Sequence, residues 1–345
     1  MSRTHFQLAS LGWDSRFAEK FIEIAPPGAV AARVLADYGA SYLVHDGAGV
    51  QRATARHVDP TVGDWVVLDG SEIGGEIRGI VERRTVFSRR AAGSENREQV
   101  LAANVDVAFV VAAATDVNVR RIERYLTIAW QSGAVPVMLL TKADVAGSVD
   151  ALRADLEAVS AGAPVVVTSS VTGEGIEAIE SHLQPARTGV LLGPSGVGKS
   201  TLINRILGSE LLRTREIHQR SGQGRHMTSH RQLVQLPGGG MIIDTPGLRE
   251  AQLWQGGEGI EFLFEDIEDL ALGCRFSDCA HDTEPGCAIK AALADGSLDP
   301  GRLQSYRKLL RELRSIEVRS SARLQIEERK KWKRLTTAAR ERVRP

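Results

Sequence analysis

The 345 residues carry 43 Lys+Arg against 43 Asp+Glu, with 43% apolar and 5% aromatic side chains. A chain of this length supports two or three domains, each with a core, and the composition is that of a soluble globular protein. No apolar leader follows a basic start, and the longest apolar run, Val107–Ala114, is far short of a bilayer span, so a cytoplasmic protein without membrane contact is expected,.

The zero net charge hides a polarity along the chain. From Arg302 onward there are 15 Lys+Arg against 5 Asp+Glu, whereas residues 101–301 carry 16 against 25. A zero average therefore does not exclude a polyanionic partner. The three cysteines, Cys274, Cys279 and Cys287, share one short window, which points to a metal rather than to disulfides,.

In chain order, Trp13, Phe17, Phe21 and Ile22 are spaced for one short amphipathic helix, ended by Pro26-Pro27-Gly28,. Short strands divided by turns follow at Val30–Leu35, Ala40–Val44, Val50–Arg56, Asp64–Leu68 and Glu76–Phe87,. Five strands in so brief a span suggest a small OB-fold-like β-barrel. OB-folds often bind nucleic acid; a barrel serving only as a docking surface is the other reading. Residues 91–104 are polar and read as a linker.

Beyond them strands and helices alternate. Strands are predicted at Val105–Ala113, Val135–Leu140, Val165–Thr168 and Gly189–Leu192, with helices at Arg120–Ser132, Val149–Ser160 and Gly175–Leu183 between them. Near-continuous apolar strands separated by helices indicate a parallel sheet covered on both faces. Met241-Ile242-Ile243 supplies one more buried strand.

Gly193-Pro194-Ser195-Gly196-Val197-Gly198-Lys199-Ser200 fits G-x-x-x-x-G-K-[ST], and Thr201 continues into a helix,. The glycines let successive N–H groups point into one concavity in front of a helix N-terminus, which suits a polyphosphate. Lys199 would reach the β/γ-phosphates and the Ser200 hydroxyl would bind Mg²⁺.

Thr141-Lys142-Ala143-Asp144 follows one of the parallel strands, where open α/β sheets bind ligands,. Asp144 can accept from the N1–H and N2–H₂ edge of guanine, an edge adenine lacks, and the stem of Lys142 can cover the base. Thr168-Ser169-Ser170 follows the next strand, and the Ser170 N–H could donate to guanine O6. A surface lysine beside a helix-capping Asp is the ordinary alternative for K-x-D alone.

Asp244-Thr245-Pro246-Gly247 matches D-x-x-G. Asp244 would hold Mg²⁺ through water, and the Gly247 N–H would meet the γ-phosphate. Between the phosphate loop and this motif lies Gly222–His230, a segment suited to a nucleotide-ordered switch,. Thr228 is the chosen second Mg²⁺ hydroxyl, with Ser229 its competitor. Leu248 stands where many GTPases place a water-orienting Gln, so His226 is the internal candidate for that catalytic role; a solvated loop histidine is the alternative.

Cys274, Cys279, His281 and Cys287 supply four N/S ligands, a closed set suited to one structural Zn²⁺. Behind them Tyr306, Leu310, Leu313 and Ile316 have helical spacing on a basic background. Lys330-Lys331-Trp332-Lys333-Arg334 then sets an aromatic among cations, as RNA binding would require,.

The base-reading elements precede the phosphate loop, and the D-x-x-G element follows it, a circular permutation of the common GTPase order. With a barrel before it and Cys/His ligands after it, the chain resembles the RsgA (YjeQ) family of circularly permuted GTPases dependent on the small ribosomal subunit. The resemblance implies three modules: a helix plus OB-fold-like barrel at 1–90, a permuted α/β P-loop GTPase domain at 105–270, and a zinc-binding α-helical domain at 271–345. It implies a monomer that binds GTP/GDP with Mg²⁺, the 30S subunit and its 16S rRNA, and assists late subunit maturation. The family's switch His, switch Thr and zinc ligands fall on His226, Thr228 and Cys274, Cys279, His281 and Cys287. Two departures stand out: Thr141 replaces the usual Asn, and Met227 a usual Thr. Two rival functions are a nucleotide-dependent phosphotransferase, for which no acceptor pocket or base is visible, and a GTP-gated RNA-binding regulator with little hydrolysis.

Overall fold

The computed structural model describes residues 3–69, 75–90, 98–208, 231–244 and 258–320. The chain forms two compact units, Met1–Ser88 with Val100–Ala251 and Arg89–Gln99 with Gln252–Pro345.

The first unit opens with α1 (Arg3–Ser10) and α2 (Ser15–Ile24), two helices where the aromatic spacing predicts one. Gly12 parts them: its φ is +92°, and a Cβ there would meet Ala186 O at 2.8 Å,. Asp14 restarts the helix by accepting the Phe17 N–H at 3.0 Å,. Trp13 and Phe17 then pack on Trp65, with ring centroids 4.7 and 5.9 Å away,.

The strands β1 (Val30–Asp37), β2 (Tyr42–His45), β3 (Val50–Ala55), β4 (Trp65–Leu68) and β5 (Gly75–Ile80) follow. Their order is β1-β2-β3-β5-β4, and β4 pairs back onto β1 to close a barrel. Every pairing is antiparallel except β3 with β5, a five-stranded OB-fold-like closure. Alternate residues fill it, Val34, Val44, Val66, Leu68 and Ile77 among them,.

The expected strand Glu76–Phe87 is divided. Within 81–85, side chains take over from the ladder: Arg83 grips the buried Asp64 carboxylate at 2.8 and 2.7 Å, and Thr85 Oγ1 donates to Val105 O at 2.8 Å. β6 (Val86–Arg90) then pairs with β7 (Glu98–Ala103) as a separate two-stranded sheet. β7 corrects the linker expectation for 91–104, because Leu101, Ala102 and Ala103 are fully buried and need strand pairing rather than solvent,.

The α/β part comprises β8 (Val107–Ala113), α3 (Val119–Ser132), β9 (Val135–Thr141), α4 (Val149–Val159), β10 (Val165–Val167), α5 (Ile176–His182), β11 (Thr188–Leu192), α6 (Lys199–Leu207), β12 (Arg231–Gln235) and β13 (Met241–Asp244). The order β10-β9-β8-β11-β13-β12 is parallel except for β12. Sequence reading did not foresee β12, whose Arg231-Gln232-Leu233-Val234-Gln235 lacks a long apolar run. It also pairs with β1 through Ala36 and Gln232, so the nucleotide-type sheet runs into the barrel.

At that seam Arg33 is fully buried. Its guanidinium donates to Leu11 O, to Asn104 O at 3.2 Å and to Thr188 Oγ1 at 2.8 Å, and it stacks 5.3 Å over Trp65. Burial pushes its pKa down to about 10, still cationic at neutral pH,.

The second unit holds α7 (Glu258–Leu263), α8 (Glu265–Leu272), α9 (Ala288–Asp295) and α10 (Pro300–Ser320). Residues 258–270, assigned from sequence to the α/β domain, thus fall in this unit. The buried stripe of α10 is Leu303, Leu309 and Leu313; Leu310, expected on it, is 37% exposed. Among the described residues no helix is long and apolar enough to cross a membrane.

Candidate nucleotide site and metal centre

The loops that sequence reading singles out lie at the carboxyl ends of neighbouring parallel strands. Thr141–Asp144 leaves β9, Thr168–Ser170 leaves β10, Gly193–Ser200 leaves β11, and Asp244 ends β13. This is the edge where a doubly wound sheet binds ligands. The order along the chain is permuted, but the sheet places the same loops side by side.

In the phosphate loop Gly193 has φ +149°, and a Cβ would meet Val111 O at 2.7 Å, so only glycine lets the chain turn away from β8,. Gly198 is the N-cap of α6, and Lys199, Ser200 and Thr201 form its first turn. Lys199 Nζ curls back to Gly193 O at 2.7 Å and Pro194 O at 2.6 Å. Pro194, Ser195, Gly196 and Val197 line a cleft of about 170 Å³ with Lys142 and Arg121.

The base-reading loops are tied to each other. Ser169 Oγ donates to Asp144 Oδ1 at 2.6 Å and accepts the Val171 and Thr172 N–H groups at 3.2 Å each. Ser169 is fully buried, whereas Asp144 is exposed toward the ligand edge and Ser170 is half-buried. Thr141 Oγ1 lies 2.7 Å from Val197 O and 3.1 Å from Ala112 O, and Lys142 Nζ donates to Gly196 O at 3.0 Å. Sequence spacing placed these residues beside a base; it did not reveal that Ser169 orients Asp144 or that Thr141 and Lys142 grip the phosphate loop. The one available signal was small hydroxyl residues at strand ends. His226, Thr228 and Gly247 lie outside the described residues, as does Lys330–Arg334.

In the second unit, the ligand atoms of Cys274, Cys279, His281 and Cys287 lie within 4.8 Å of one another. Cys274 Sγ and Cys287 Sγ are 3.9 Å apart, and each is 3.5 Å from His281 Nδ1. A tetrahedral zinc with usual bond lengths sets S···S near about 3.8 Å and S···N near about 3.5 Å. The donor set and its spacing therefore fit one structural Zn²⁺, with Nδ1 as the imidazole ligand. Burial opposes charge on Cys274, but N–H groups of Ala288 and Ile289 at the start of α9, together with the neighbouring Cys287 and Cys279 thiols, hold it below its ordinary value. Burial pushes Cys279 up to about 11, so a cation is needed to hold it as thiolate,.

The knuckle is braced by residues that sequence reading passed over. The Glu284 carboxylate accepts the N–H groups of Ala280, Asp282 and Thr283 at 2.9–3.1 Å. Arg307 donates to His281 O at 2.6 Å, and Arg302 grips Asp266 at 2.7 and 2.6 Å. Two of the basic side chains of α10 are thus committed inside the unit.

The family model described as RsgA GTPase matches residues 80–254. A small ribosomal subunit biogenesis GTPase RsgA of Syntrophotalea carbinolica is 43% identical, covering 94% of this chain and 95% of that protein. The one from Opitutus terrae is 42% identical, covering 98% of each. Among solved structures, YjeQ from Thermotoga maritima aligns with a TM-score of 0.62 at 26% identity, covering 83% of this chain and 98% of that one. YloQ, a circularly permuted GTPase, has the same fold, with a TM-score of 0.60 at 24% identity over 83% of this chain and 96% of its own. Permuted motif order, barrel, Cys/His knuckle and near full-length similarity agree: the chain belongs to the RsgA GTPase family.

Proposed function

We propose that this GTPase binds the small (30S) ribosomal subunit late in its maturation and hydrolyses GTP there, the hydrolysis driving its own release. The observation that carries the reading is the gathering of base-reading, phosphate-loop and Asp244 elements on one sheet edge, in permuted order, in a chain with a barrel and a Cys₃His knuckle. The curated relatives are named for small ribosomal subunit biogenesis, which supplies the partner. That partner and the excess of cations beyond Arg302 support contact with 16S rRNA by a cytoplasmic protein, taken in this reading to act as a monomer,.

In this reading Asp144, held by Ser169, accepts from the guanine N1–H and N2–H₂ edge, Lys142 covers the base, and the Ser170 N–H meets O6. The backbone N–H groups of Ser195–Thr201 and the Lys199 side chain cradle the β- and γ-phosphates. Ser200, Thr228 and Asp244 hold Mg²⁺, which supplies neutralisation of phosphate charge. Gly247 senses the γ-phosphate, and His226 orients the attacking water that Leu248 cannot.

Co-sedimentation tests the partner. Binding to purified 30S subunits with a non-hydrolysable GTP analogue, released with GDP and absent with 50S subunits, is expected. Binding that ignores both nucleotide and subunit would favour a general RNA-binding regulator, and phosphate transfer to an added acceptor would favour a phosphotransferase.

A further inference from the structure

The stretch that carries the metal ligands has no core of its own. Among residues 275–286, all described, no side chain is buried. Packing therefore does not set its course, and hydrogen bonds together with the ion must do so. His281 depends on them most. Its φ of +58° lies in the left-handed region, which costs a residue with a Cβ and persists only where the surroundings enforce it,.

Two side chains enforce it by acting on one peptide, the one that joins His281 to Asp282. The carbonyl, His281 O, accepts from Arg307 at 2.6 Å, and the N–H, on Asp282, donates to Glu284 Oε2 at 2.9 Å. A trans peptide is planar, with C=O and N–H pointing opposite ways, so Arg307 and Glu284 hold the same plane from its two sides. Glu284 Oε1 also accepts the Ala280 N–H at 3.1 Å, which steadies the chain before His281. With the backbone held on both sides, the imidazole leaves the chain in one direction, and Nδ1 stands 3.5 Å from both the Cys274 and the Cys287 sulfur.

Arg307 also brings a third helix to the ion. Cys274 directly follows the C-cap of α8, Cys287 is the N-cap of α9, and Arg307 stands on α10. We propose that Arg307 and Glu284 are positioning residues for the metal centre, clamping the His281–Asp282 peptide so that Nδ1 faces the thiols, and that the ion in turn fixes the docking of α10 through Arg307. Such coupling is reciprocal: whatever Arg307 adds to zinc affinity, zinc adds to the seating of Arg307. This inference rests on the four-ligand zinc site and is independent of the ribosomal partner.

Zinc affinity is measured on the full chain by competition with a chromogenic chelator, in the parent, in Arg307→Ala, Arg307→Lys, Glu284→Gln and Arg302→Ala, and in the double variant Arg307→Ala with Glu284→Gln. Arg307→Ala should weaken zinc about tenfold, the scale on which outer-shell partners act. Arg307→Lys should return to within about threefold of the parent, since one ammonium donor serves one carbonyl. Glu284→Gln loses the Oε2 acceptor and should weaken zinc by a similar factor. The double variant should lose less than the product of the two, because either change frees the same peptide. Arg302→Ala breaks the tie of α10 to Asp266 without touching the knuckle and should stay within about threefold of the parent,. Hydrogen exchange reads the reverse direction: removing zinc should speed exchange of the α10 amides around Arg307 in the parent and change it less in Arg307→Ala. Zinc affinity within about twofold of the parent in Arg307→Ala, or an equal loss in Arg302→Ala, overturns the proposal. Losses that multiply in the double variant, or α10 exchange that ignores zinc, overturn it too. A parent chain that binds no zinc would bring down the metal site itself and the proposal with it.

Discussion

Ser169→Ala should blunt guanine selectivity without disturbing the phosphate loop. The Ser169 hydroxyl is fully buried and donates to Asp144 at 2.6 Å, while its oxygen takes two backbone N–H groups. A hydrogen bond to a charged group contributes about 1.5–3 kcal/mol. Asp144 itself is exposed, so water substitutes in part and the lower end applies. A loss of about 1.5 kcal/mol corresponds to roughly tenfold weaker GDP binding. IDP, which lacks the 2-amino group and so uses less of the carboxylate, should weaken less, and the preference for GDP should narrow. Isothermal titration calorimetry with GDP and IDP, alongside circular dichroism to verify folding, measures both effects. GDP affinity within twofold of the parent and an unchanged GDP-to-IDP ratio in a folded variant would refute the assignment of Ser169 as the group that orients Asp144.

Three further outcomes are expected. Purified protein should contain one zinc per chain, and cobalt exchanged into Cys274, Cys279, His281 and Cys287 should give the absorption of a tetrahedral thiolate-rich site; Cys279→Ser should shift that spectrum, whereas metal-free protein of unchanged helicity would count against a structural ion. Asp64→Ala leaves the Arg83 guanidinium and the Thr61 N–H without their buried acceptor and should lower stability in urea by about 3 kcal/mol, since Arg83 is partly exposed,; a loss below about 1 kcal/mol would show that the pair is not fastening the barrel. His226→Ala should cut subunit-stimulated GTP hydrolysis by about a hundredfold while leaving GTP affinity near the parent value, and unchanged stimulated turnover would remove His226 from the reaction.

What the sequence shows and what it hides follow one physical division. Motifs at strand ends are local: Gly193–Ser200, Thr141–Asp144 and Asp244 each need only a few residues in a row, and parallel strands such as Val107–Ala113 announce themselves by uninterrupted burial,. The knuckle is local too, four ligands within Cys274–Cys287. What was not legible is long-range. Arg33 joins Leu11, Asn104 and Thr188, which lie far apart in the chain, and nothing in Val30–Asp37 marks an arginine as buried. The strand β12 owes its place to pairing with both β13 and β1 rather than to its own apolarity. Likewise β7, in a stretch that reads as polar from Gly93 to Glu98, is fixed by the burial of Leu101–Ala103. Of the 15 Lys+Arg from Arg302 onward, the count could not show that Arg302 and Arg307 are engaged inside the unit, by Asp266 and His281 O.

The central claim is that GTP hydrolysis is governed by the small subunit. Steady-state GTP turnover measured alone, with purified 30S subunits and with 50S subunits as control tests it most directly. Turnover that is slow alone, strongly raised by 30S and unaffected by 50S is the expected result. Equal turnover in all three would contradict it.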